Sequence, residues 1–342
     1  MSDQTGNRIC VVGCGHWGKN LLRNFHQIGS LYGLFDADPE RLETFSAQYP
    51  DVRVYRSYEE LLRDRDVDAV ALATPAEQHA SMAIAALAAG KDAFVEKPMA
   101  LTPEDGNEIL DMARRTRRLV MVGHLLLYHP AIEVIQRMLS SGELGRLEYI
   151  YSNRLSMGKI RSEENALWSF APHDISVILR LTGQLPVQVS ATGGAYLQPN
   201  IADVTVSDLL FDRGTRAHIF VSWLHPYKEQ RLVVIGSKRM VVFEETRPSG
   251  KLLLYDNQIA RSDNGFQATQ SQPVELAYDE GEPLRLECQH FVDCVWRRQQ
   301  PRTPAEDGVR VLQVLQACQR SLQLNGELVQ VNERGVYSIA AM

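Results

Sequence analysis

A glycine-rich turn near the start of the chain is the feature that most restricts its fold. Gly13, Gly15 and Gly18 directly follow the apolar run ICVV and precede a segment with helical patterning. Gly13 permits a tight strand-to-helix turn, Gly15 lets the backbone approach a pyrophosphate, and Gly18 lets the helix pack closely on the strand. The pattern therefore predicts a strand, turn and helix that bind a dinucleotide.

An acidic residue downstream indicates which dinucleotide is bound. Asp36 ends the second apolar run, at the usual distance of roughly 20 residues, where a carboxylate accepts hydrogen bonds from the adenosine ribose. It would repel a 2′-phosphate, and no Arg is adjacent to it in the sequence. We therefore expect NAD rather than NADP as the cofactor. His16 and Trp17 open the first helix and are candidates to line the cofactor pocket, although packing explains Trp17 equally well.

Residues 8–123 alternate short apolar runs with longer amphipathic segments. The apolar runs are rich in β-branched residues and read RICVVG, LYGLFD, VRVY, VDAVALAT, DAFVE and LVMVG. Helical patterning lies between them, near residues 17–28, 39–49, 57–64, 78–89 and 103–117. Two of these segments carry Pro in the first turn, a position that Pro favours in helices. This alternation predicts βαβ units and a parallel sheet.

The pattern changes after Gly123. One helix is expected near 130–140 and another from about Pro172, and strand-like runs then dominate the sequence. These runs are LEYIYSNRL, QVSATGGAYL, VTVSDLLF, AHIFVSWL, RLVVIG, MVVFEE and KLLLYD, several of them separated by turn sequences such as DRGT and GSKR. Consecutive strands joined by short turns predict an antiparallel sheet. A loose Gly/Ser/Gln-rich stretch at 262–273 predicts a surface loop.

Two helices, near 284–298 and 305–324, end the predicted order of elements. We therefore expect an α/β Rossmann domain with a parallel sheet over residues 1–122, followed by an α+β domain over residues 123–342. The second domain would bind the substrate and form oligomer contacts through a large, mostly antiparallel open sheet. Two domains also fit a length of 342 residues, at roughly 150 residues per domain.

Composition excludes several functional classes. The net charge of −6 provides no basic footprint for nucleic acid or for an anionic membrane. Apolar stretches stay shorter than the roughly 18 residues that span a bilayer, and the first residues lack a secretory signal pattern. The five cysteines are too few, and odd in number, for a disulfide framework. We therefore expect a soluble cytoplasmic protein in which Cys10 and Cys14 are packing residues.

The first catalytic candidate is Lys97, which follows the strand DAFVE between Glu96 and Pro98. Ligands of open α/β sheets bind beyond the carboxyl ends of the strands, so a lysine at this position can point at the cofactor. A solvated lysine at a strand end is an equally good explanation from the residues alone.

The second candidate is His173 in the segment WSFAPHDISVILRLTG. If Pro172 occupies the first helical position, His173 lies in the first turn, where the helix dipole disfavours a protonated imidazole. A neutral imidazole would suit a general base. A structural histidine is the simpler alternative, and Asp174 would then only complement the helix dipole.

Taken together, these segments resemble the Gfo/Idh/MocA family of sugar and cyclitol oxidoreductases. The resemblance extends nearly from end to end, through GCGHWG, FDADPER, ATPAEQHA, VEKPMA, GHLLLYHPA with SSGELG, APHDISVILRLTG and LECQHFVDCVWRRQQPRTPAEDG. It implies that Lys97 is the catalytic lysine, that His173 is the site histidine and that Glu96 contacts the nicotinamide ribose. It also implies that the cofactor is bordered by Thr74, Pro75 and His79.

The chain departs from the family pattern at several positions. Many members carry an acid four residues before the site histidine and an Asp three residues after it, where this chain has Ser169 and Ser176. A third catalytic group is therefore not assigned. The family's R-F-N-P pattern is replaced by Leu127-Tyr128-His129-Pro130, which implies a different substrate pocket.

Within the family, the segments HWGKN, GHLLLYHP and WSFAPHDIS are most similar to nucleotide-sugar members, in particular UDP-N-acetylglucosamine 3-dehydrogenases. Such enzymes supply a keto sugar to an aminotransferase in lipid A synthesis, so the resemblance implies that partner. A diphosphate needs cations, which the loop before Trp168 supplies, although a solvated loop explains these charges equally well. The candidate substrate contacts are Lys97, Tyr128, Arg154, Lys159, Arg161, Trp168, His173 and Asp174.

These residues suggest the oxidation of a secondary alcohol on a nucleotide sugar, most specifically the 3-hydroxyl of UDP-N-acetylglucosamine. Lys97 would hold the hydroxyl and stabilise the developing alkoxide, and His173 would be the base or its relay. A UDP-linked uronic acid, inositol and other sugars are alternative substrates. A sensor that binds NAD and a sugar without turnover is the alternative of another class.

Two further expectations concern metals and assembly. Cys288, His290 and Cys294 are close in the sequence, but in a helix Cys288 and His290 point about 200° apart, so no metal site is expected. The antiparallel sheet would leave one face without helices, which predicts a homodimer or homotetramer that covers it.

Overall fold

The computed structural model describes residues 7–331, apart from 159, 257, 263, 264 and 270. These residues form two compact units. The first lies within Met1–Tyr128 and Gly281–Leu312, and the second lies within His129–Glu280 and Gln313–Met342. The sequence predicted a single boundary near residue 123. In the structure the boundary lies a few residues later, and the segment that begins at Gly281 belongs to the first unit. The reason is that the helix in this segment packs against the first helix of the chain.

The first unit contains a parallel Rossmann sheet. Its strands are β1 (Ile9–Val12), β2 (Leu31–Phe35), β3 (Arg53–Val54), β4 (Ala69–Leu72), β5 (Asp92–Glu96) and β6 (Val120–Gly123). Within the described residues these six strands pair in the order β3-β2-β1-β4-β5-β6. The order reverses between β1 and β4, and open sheets of this kind bind ligands at the carboxyl ends of the strands at such a reversal.

Local sequence explains where the helices of this sheet begin. They are α1 (Gly18–Ile28), α2 (Pro39–Gln48), α3 (Tyr58–Arg63), α4 (Ala76–Ala88) and α5 (Pro103–Thr116). Asp38 caps α2 by accepting the backbone N–H of Glu40 at 3.0 Å, with Pro39 in the first position. Thr102 caps α5 in the same way. The helices start within two residues of their predicted positions.

The second unit is built on a mixed, mostly antiparallel sheet. The remaining strands of the described residues are β7 (Leu147–Met157), β8 (Gln188–Gly194), β9 (Val204–Leu210), β10 (Arg216–Ser222), β11 (Leu224–Gly236), β12 (Met240–Glu244), β13 (Leu252–Tyr255), β14 (Gln258–Ser262), β15 (Gly265–Thr269), β16 (Val274–Glu275) and β17 (Val329–Gln330). Among the described residues, nine of them form one sheet in the order β16-β13-β12-β11-β7-β10-β9-β8-β17. Strands β7 and β10 pair in parallel, and their neighbours pair antiparallel.

Four more α-helices lie within the described residues. They are α6 (Pro130–Ser140), α7 (Ala166–Thr182), α8 (Pro283–Arg297) and α9 (Ala305–Gln323), of which α8 belongs to the first unit and α9 passes from the first to the second. Helix α7 packs on β7, β9 and β10. Along β10, Ala217, Ile219 and Val221 are buried, whereas His218 and Phe220 between them are half-buried. The sheet therefore buries the face that it turns toward α7 and leaves the other face more exposed.

The predicted start of α7 at Pro172 was wrong. The helix begins at Ala166, and Asn165 caps it by accepting the backbone N–H of Trp168 at 3.2 Å. Pro172 lies inside the helix. A good capping residue upstream thus starts the helix earlier, and tertiary packing tolerates a proline that favours a first turn in isolation.

The described residues of the 262–273 stretch are exposed at 265–269 and 271–273 as expected, but residues 265–269 form a strand rather than a loop. Strands β14 and β15 form an antiparallel hairpin, in which Arg261 lies opposite Phe266. Pairing with β14 satisfies the backbone hydrogen bonds of residues 265–269, and this outweighs the polar composition of the stretch. None of the described helices is both long enough and apolar enough to cross a membrane.

Candidate active site

Two glycines of the glycine-rich turn are required by the close packing of backbone on backbone. Gly13 has a φ of +89°, and a Cβ there would lie 2.8 Å from the carbonyl oxygen of Ala73. A Cβ on Gly18 would lie 1.8 Å from the carbonyl oxygen of Gly13. A side chain at Gly13 would push the turn away from the end of β4, and one at Gly18 would push α1 away from the turn.

Gly15 has a different environment. A Cβ on Gly15 would meet, among the described atoms within 4 Å, only the flexible end of Arg41, whose Nη1 lies 3.7 Å away. Packing within the protein therefore does not require a glycine here. The missing side chain instead leaves open space over the turn, where a pyrophosphate can approach the backbone.

The Asp36 carboxylate is fixed beside this turn. Its Oδ2 accepts the backbone N–H of Cys14 at 2.6 Å, and its Oδ1 accepts that of Asp38 at 2.8 Å. The sequence shows no Arg beside Asp36, but the structure brings the Arg41 Nη1 to 3.8 Å from Oδ1, because α2 turns back toward β2. These partners hold the carboxylate in place for a ribose diol.

Trp17 connects the turn to the end of β5. It is 36% exposed, precedes α1 and donates a hydrogen bond from its indole Nε1 to the Oε1 of Glu96. His16, beside it, is exposed to solvent. Both residues thus lie at the carboxyl edge of the sheet, where we expected the cofactor pocket.

Glu96 is a buried acid at the end of β5. It accepts the backbone N–H of Lys97 at 3.2 Å, and a Cβ on Gly123 of the neighbouring strand would lie 2.9 Å from its Oε2. Burial raises the pKa of Glu96 to about 7, and the Trp17 hydrogen bond and the Lys97 charge oppose this rise. Lys97 itself is half-buried. An ammonium group and an acid that titrates near neutrality therefore lie side by side.

His79 braces the loops that follow β4 and β5. Its ring is 2% exposed, with Nδ1 2.8 Å from the carbonyl oxygen of Pro98 and Nε2 2.9 Å from that of Thr74. Burial lowers its pKa. Thr74 and Pro75 lie directly after β4, half-buried and exposed. His79 thus ties the Lys97–Pro98 segment to the loop at the strand-order reversal, which is a supporting role beside the cofactor edge.

The first unit fits a bound NAD. Open space over Gly15, the fixed carboxylate of Asp36 and the half-buried Lys97 follow the carboxyl ends of β1, β2 and β5. This is the edge at which a Rossmann sheet holds the pyrophosphate, the ribose and the nicotinamide.

His173 lies in the interior of α7 in the second unit and is half-buried. The first-turn explanation for a neutral imidazole is therefore wrong, because the helix dipole acts within the first turn. Ser169 and Ser176, four residues before and three after, share a helix face with His173. Ser176 donates a hydrogen bond to the His173 carbonyl oxygen at 2.8 Å. This face carries hydroxyl groups at the two positions where the family pattern carries acids.

Asp174 is a buried ion-pair residue rather than a first-turn acid. It is 3% exposed and accepts hydrogen bonds from Arg154, with Nε–Oδ2 and Nη2–Oδ1 distances of 2.8 and 3.0 Å. Ser152 donates a third at 2.6 Å. The expectation that Arg154 serves as a cation for a substrate diphosphate is not supported, since its guanidinium is already engaged.

The other candidate substrate contacts are dispersed. The Nε of Arg161 lies 3.6 Å from the Glu164 carboxylate, and Lys159 lies outside the described residues. The indole of Trp168 donates to the Gln319 side chain at 3.1 Å. Arg154 and Arg161 each have an acidic partner within their own unit, so they do not form a ready cationic cluster.

In the segment that replaces the family's R-F-N-P pattern, Tyr128 and His129 have structural roles. Tyr128 is 1% exposed, and its hydroxyl lies 3.1 Å from the Thr303 Oγ1, so we correct its assignment as a substrate contact. His129 caps α6: its Nδ1 accepts the backbone N–H of Ala131 at 3.1 Å, and its Nε2 lies 3.0 Å from Glu245. The departure thus serves core packing and helix capping.

Glu287 is a buried acid that no motif of the sequence indicated. It is fully buried in α8, and neither carboxylate oxygen has a hydrogen-bond partner among the described residues. The helical spacing of Leu284, Cys288 and Phe291 already placed Glu287 on the buried face. Burial, and then the charge of Glu96, raise its pKa well above the usual value.

The neighbouring cysteines of α8 are not arranged for a metal. The Sγ of Cys294 lies 3.4 Å from the Nε2 of His290, which also accepts the backbone N–H of Arg302 at 2.9 Å. In the part of the chain that the structure describes, no three His, Cys, Asp or Glu side chains form a metal-binding group.

Comparisons with known proteins agree with this architecture. Residues 7–124 match the model of an oxidoreductase family with an NAD-binding Rossmann fold. Residues 132–242 match the GFO/IDH/MocA C-terminal domain. The first match covers the nucleotide-binding part of the chain, and the second covers part of the sheet domain that follows it.

Individual relatives point in the same direction. The chain is 30% identical over 241 residues to the UDP-N-acetylglucosamine 3-dehydrogenase of Acidithiobacillus ferrooxidans, covering 70% of this chain and 72% of the relative. A crystal structure of that enzyme superposes with a TM-score of 0.81 at 25% identity, over 93% of this chain and 98% of the other. An inositol 2-dehydrogenase of Burkholderia multivorans is 25% identical over 328 residues, 92% of this chain and 93% of the relative. The glycine-rich turn, the fixed Asp36, the Glu96–Lys97 edge and these matches identify the chain as a member of the Gfo/Idh/MocA family of NAD-binding oxidoreductases.

Proposed function

We propose that this protein oxidises a secondary alcohol of a nucleotide sugar, and that its substrate is the 3-hydroxyl of UDP-N-acetylglucosamine. The observation that carries the proposal is Lys97, half-buried beside Glu96 at the carboxyl edge of a sheet that fits NAD. The named activity of the 3-dehydrogenase relative, to which 70% of the chain aligns, supports the substrate.

Lys97 acts on the alcohol oxygen. Its ammonium donates a hydrogen bond to the hydroxyl and stabilises the negative charge that develops as the O–H bond breaks. A lysine has an unperturbed pKa of about 10.4, so the protonated form dominates unless the site opposes it. The Glu96 carboxylate beside it favours the ammonium form when Glu96 is ionised.

To His173 we assign the role that the family resemblance implies, namely to take the hydroxyl proton or to relay it. An imidazole titrates close to neutral pH and can accept a proton without an auxiliary acid. When bound at the carboxyl edge of the Rossmann sheet, NAD would supply the hydride acceptor. The products are a ketone, NADH and one proton.

The chemistry of the keto sugar product indicates which class of enzyme would use it next. Its carbonyl group can condense with an amine, so an aminotransferase is the proposed partner reaction. Removal of the ketone also favours the forward direction, because alcohol oxidation by NAD is otherwise readily reversed.

One observation favours a second candidate. Arg154 is engaged by Asp174, and Arg161 lies near Glu164, so these two cations offer little charge to a diphosphate. A neutral cyclitol needs no such cation. The relative named inositol 2-dehydrogenase aligns over most of this chain, which supports inositol oxidation as the alternative.

Assembly is a separate proposal. The face of the nine-stranded sheet away from α7 carries half-buried aromatic side chains, among them Tyr151 and His218, whose rings stack 5.2 Å apart. We expect a second copy of the chain to cover this face, giving a homodimer or homotetramer. Light scattering on the purified protein measures the assembly, and a monomer at micromolar concentration would overturn it.

A substrate panel tests the function. Purified protein is incubated with NAD and UDP-N-acetylglucosamine, a UDP-linked N-acetylated uronic acid, UDP-glucose or free inositol, with a ketone trap present. Formation of NADH, followed by its absorbance, is expected with UDP-N-acetylglucosamine. Turnover of inositol without turnover of any nucleotide sugar would reject the first proposal in favour of the second. Binding of NAD and sugar without turnover of either kind would indicate a sensor.

A further inference from the structure

Glu287 is a buried acid without a hydrogen-bond partner. It is 0% exposed in α8, and no described group donates to either carboxylate oxygen. Burying a lone carboxylate in this way is costly, so such groups are rare and are kept neutral by a bound proton. Core packing alone would be served better by an apolar side chain of the same size.

A second acid acts on Glu287 within the same unit. Strand β5 packs on α8 through Phe94 and Phe291, whose ring centroids lie 5.7 Å apart, and Glu96 and Glu287 lie close to these residues on the two packed elements. Beyond burial, the charge of Glu96 opposes ionisation of Glu287. Two hydrogen-bond donors contact Glu96, the indole of Trp17 and the backbone N–H of Lys97. Glu287 has no such donor among the described residues. The negative charge of the pair therefore resides on Glu96, and the proton resides on Glu287.

Other titratable groups surround the pair. Lys97 favours the ionised form of Glu96, whereas Tyr128 and Cys288 are uncharged groups whose pKa values are raised, in the first place by burial. His124, buried directly after Gly123, lies at the end of the strand next to Glu96. Of these groups, Lys97 carries a positive charge beside Glu96.

Glu96 lies at the carboxyl edge of the Rossmann sheet, where its charge can act on a bound ligand. Trp17 belongs to the glycine-rich turn and is partly exposed, and its indole holds the Glu96 carboxylate. A cationic ring bound at this edge would stabilise the ionised form of Glu96. A neutral ring would remove that stabilisation.

We propose that Glu96 and Glu287 form one proton-binding site, which holds a single proton when the bound nicotinamide is oxidised and takes up a second when it is reduced. The second proton goes to Glu96. The inference rests on the proposed function, because it requires the Lys97 edge to face the nicotinamide. In the overall balance, alcohol and NAD⁺ give ketone, NADH and one proton, and the Glu96 carboxylate holds a proton until NADH departs.

This site makes the choice between the two cofactor forms depend on pH. At high pH, Glu96 is ionised and favours NAD⁺ over NADH. At low pH, Glu96 is protonated and that preference is lost. Since Glu96 titrates at about 7, the ratio of the NADH and NAD⁺ dissociation constants rises by about tenfold or more between pH 6 and pH 8.

Calorimetry on the full-length wild-type protein tests the linkage without any variant. Binding of NAD⁺ and of NADH is measured at pH 7 in two buffers of different ionisation enthalpy, which counts the protons exchanged. Binding of NADH is expected to take up a sizeable fraction of one proton more than binding of NAD⁺. Equal proton counts, or a failure to bind either cofactor, would overturn the inference.

Infrared difference spectra assign the two protons. A protonated-carboxyl band that persists at pH 8 is expected to disappear in Glu287→Gln, and a band that appears below pH 7 is expected to disappear in Glu96→Gln. The matched control Glu104→Gln, at an exposed acid of α5, should retain both bands. Loss of neither band in the first two variants would contradict the assignment.

Failure of the inference and failure of the proposed function are distinguishable. Turnover of a nucleotide sugar together with equal proton counts overturns the inference alone. A difference in proton counts without turnover of any sugar or cyclitol supports the inference and rejects the dehydrogenase function.

Discussion

Asp174 and Arg154 form a forked ion pair in the interior of the second unit, with distances of 2.8 and 3.0 Å between their paired atoms. The Arg154 side chain is 13% exposed and that of Asp174 is 3% exposed. The pair fastens the middle of α7, next to His173, to strand β7. Two residues that the sequence offered as substrate contacts therefore have a structural task.

Asp174→Asn should destabilise the protein by about 3 kcal/mol, because it leaves the Arg154 charge buried without a counter-charge. Urea unfolding measures the change. Glu148→Gln is the matched control: its partner Arg146 is 80% exposed, and we expect an effect below about 0.5 kcal/mol. Similar losses in the two variants would show that the buried pair contributes no more than a surface pair.

Lys97→Met should abolish turnover and leave NAD binding nearly intact. The substitution keeps the apolar stem and removes the ammonium that we assign to the alcohol oxygen. We expect kcat to fall by roughly 1000-fold, with a dissociation constant for NAD close to that of the wild type by calorimetry. Loss of NAD binding together with turnover would mean that Lys97 is structural.

Two glycine substitutions should have opposite consequences. Gly15→Ala should leave folding unchanged and weaken NAD binding, because a Cβ there meets open space in the protein and the pyrophosphate in the complex. Gly18→Ala should destabilise the first unit, because its Cβ would lie 1.8 Å from the Gly13 carbonyl oxygen. Thermal unfolding and NAD titration separate the two effects. Normal NAD affinity of Gly15→Ala would place the pyrophosphate elsewhere.

Asp36 should control the choice between NAD and NADP. Asp36→Ser removes the ribose acceptor and the repulsion of a 2′-phosphate, and it leaves Arg41 near the vacated position. We expect affinity for NAD to fall by about tenfold and affinity for NADP to rise by a similar factor. Adding Arg41→Ala to this variant should reverse the gain for NADP without further change for NAD. A gain that survives the second substitution would exclude Arg41 as the phosphate contact.

Glu96 should make stability depend on pH with an unusual sign. Its pKa of about 7 in the folded protein exceeds the ordinary value of 4.5, so the folded state binds this proton more tightly than the unfolded state. Stability from this group therefore falls as pH rises from 4.5 to 7, and the full penalty is present above 7. Glu96→Gln keeps an acceptor for Trp17 and should stabilise the protein at pH 8 by on the order of 3 kcal/mol. The gain should disappear at pH 4.5, and an equal gain at both values would contradict it.

Much of the first unit followed from local patterns. The glycine-rich turn, Asp36 and the capping residues Asp38 and Thr102 act through the backbone within a few residues of themselves. The starts of the helices and the carboxyl edge of the sheet could therefore be predicted. The start of α7 could not, because Asn165 outside the predicted segment outweighed Pro172 within it.

By itself, the sequence determined the parallel sheet, the dinucleotide edge, the mostly antiparallel second sheet and the family. These depend on periodicity and on short-range backbone constraints. Only the tertiary structure decided that Arg154 pairs with Asp174, that Arg41 approaches Asp36, and that Glu287 lies buried within range of the Glu96 charge. Electrostatic partners act through space between residues far apart in the chain, so burial and charge pairing depend on how the elements pack.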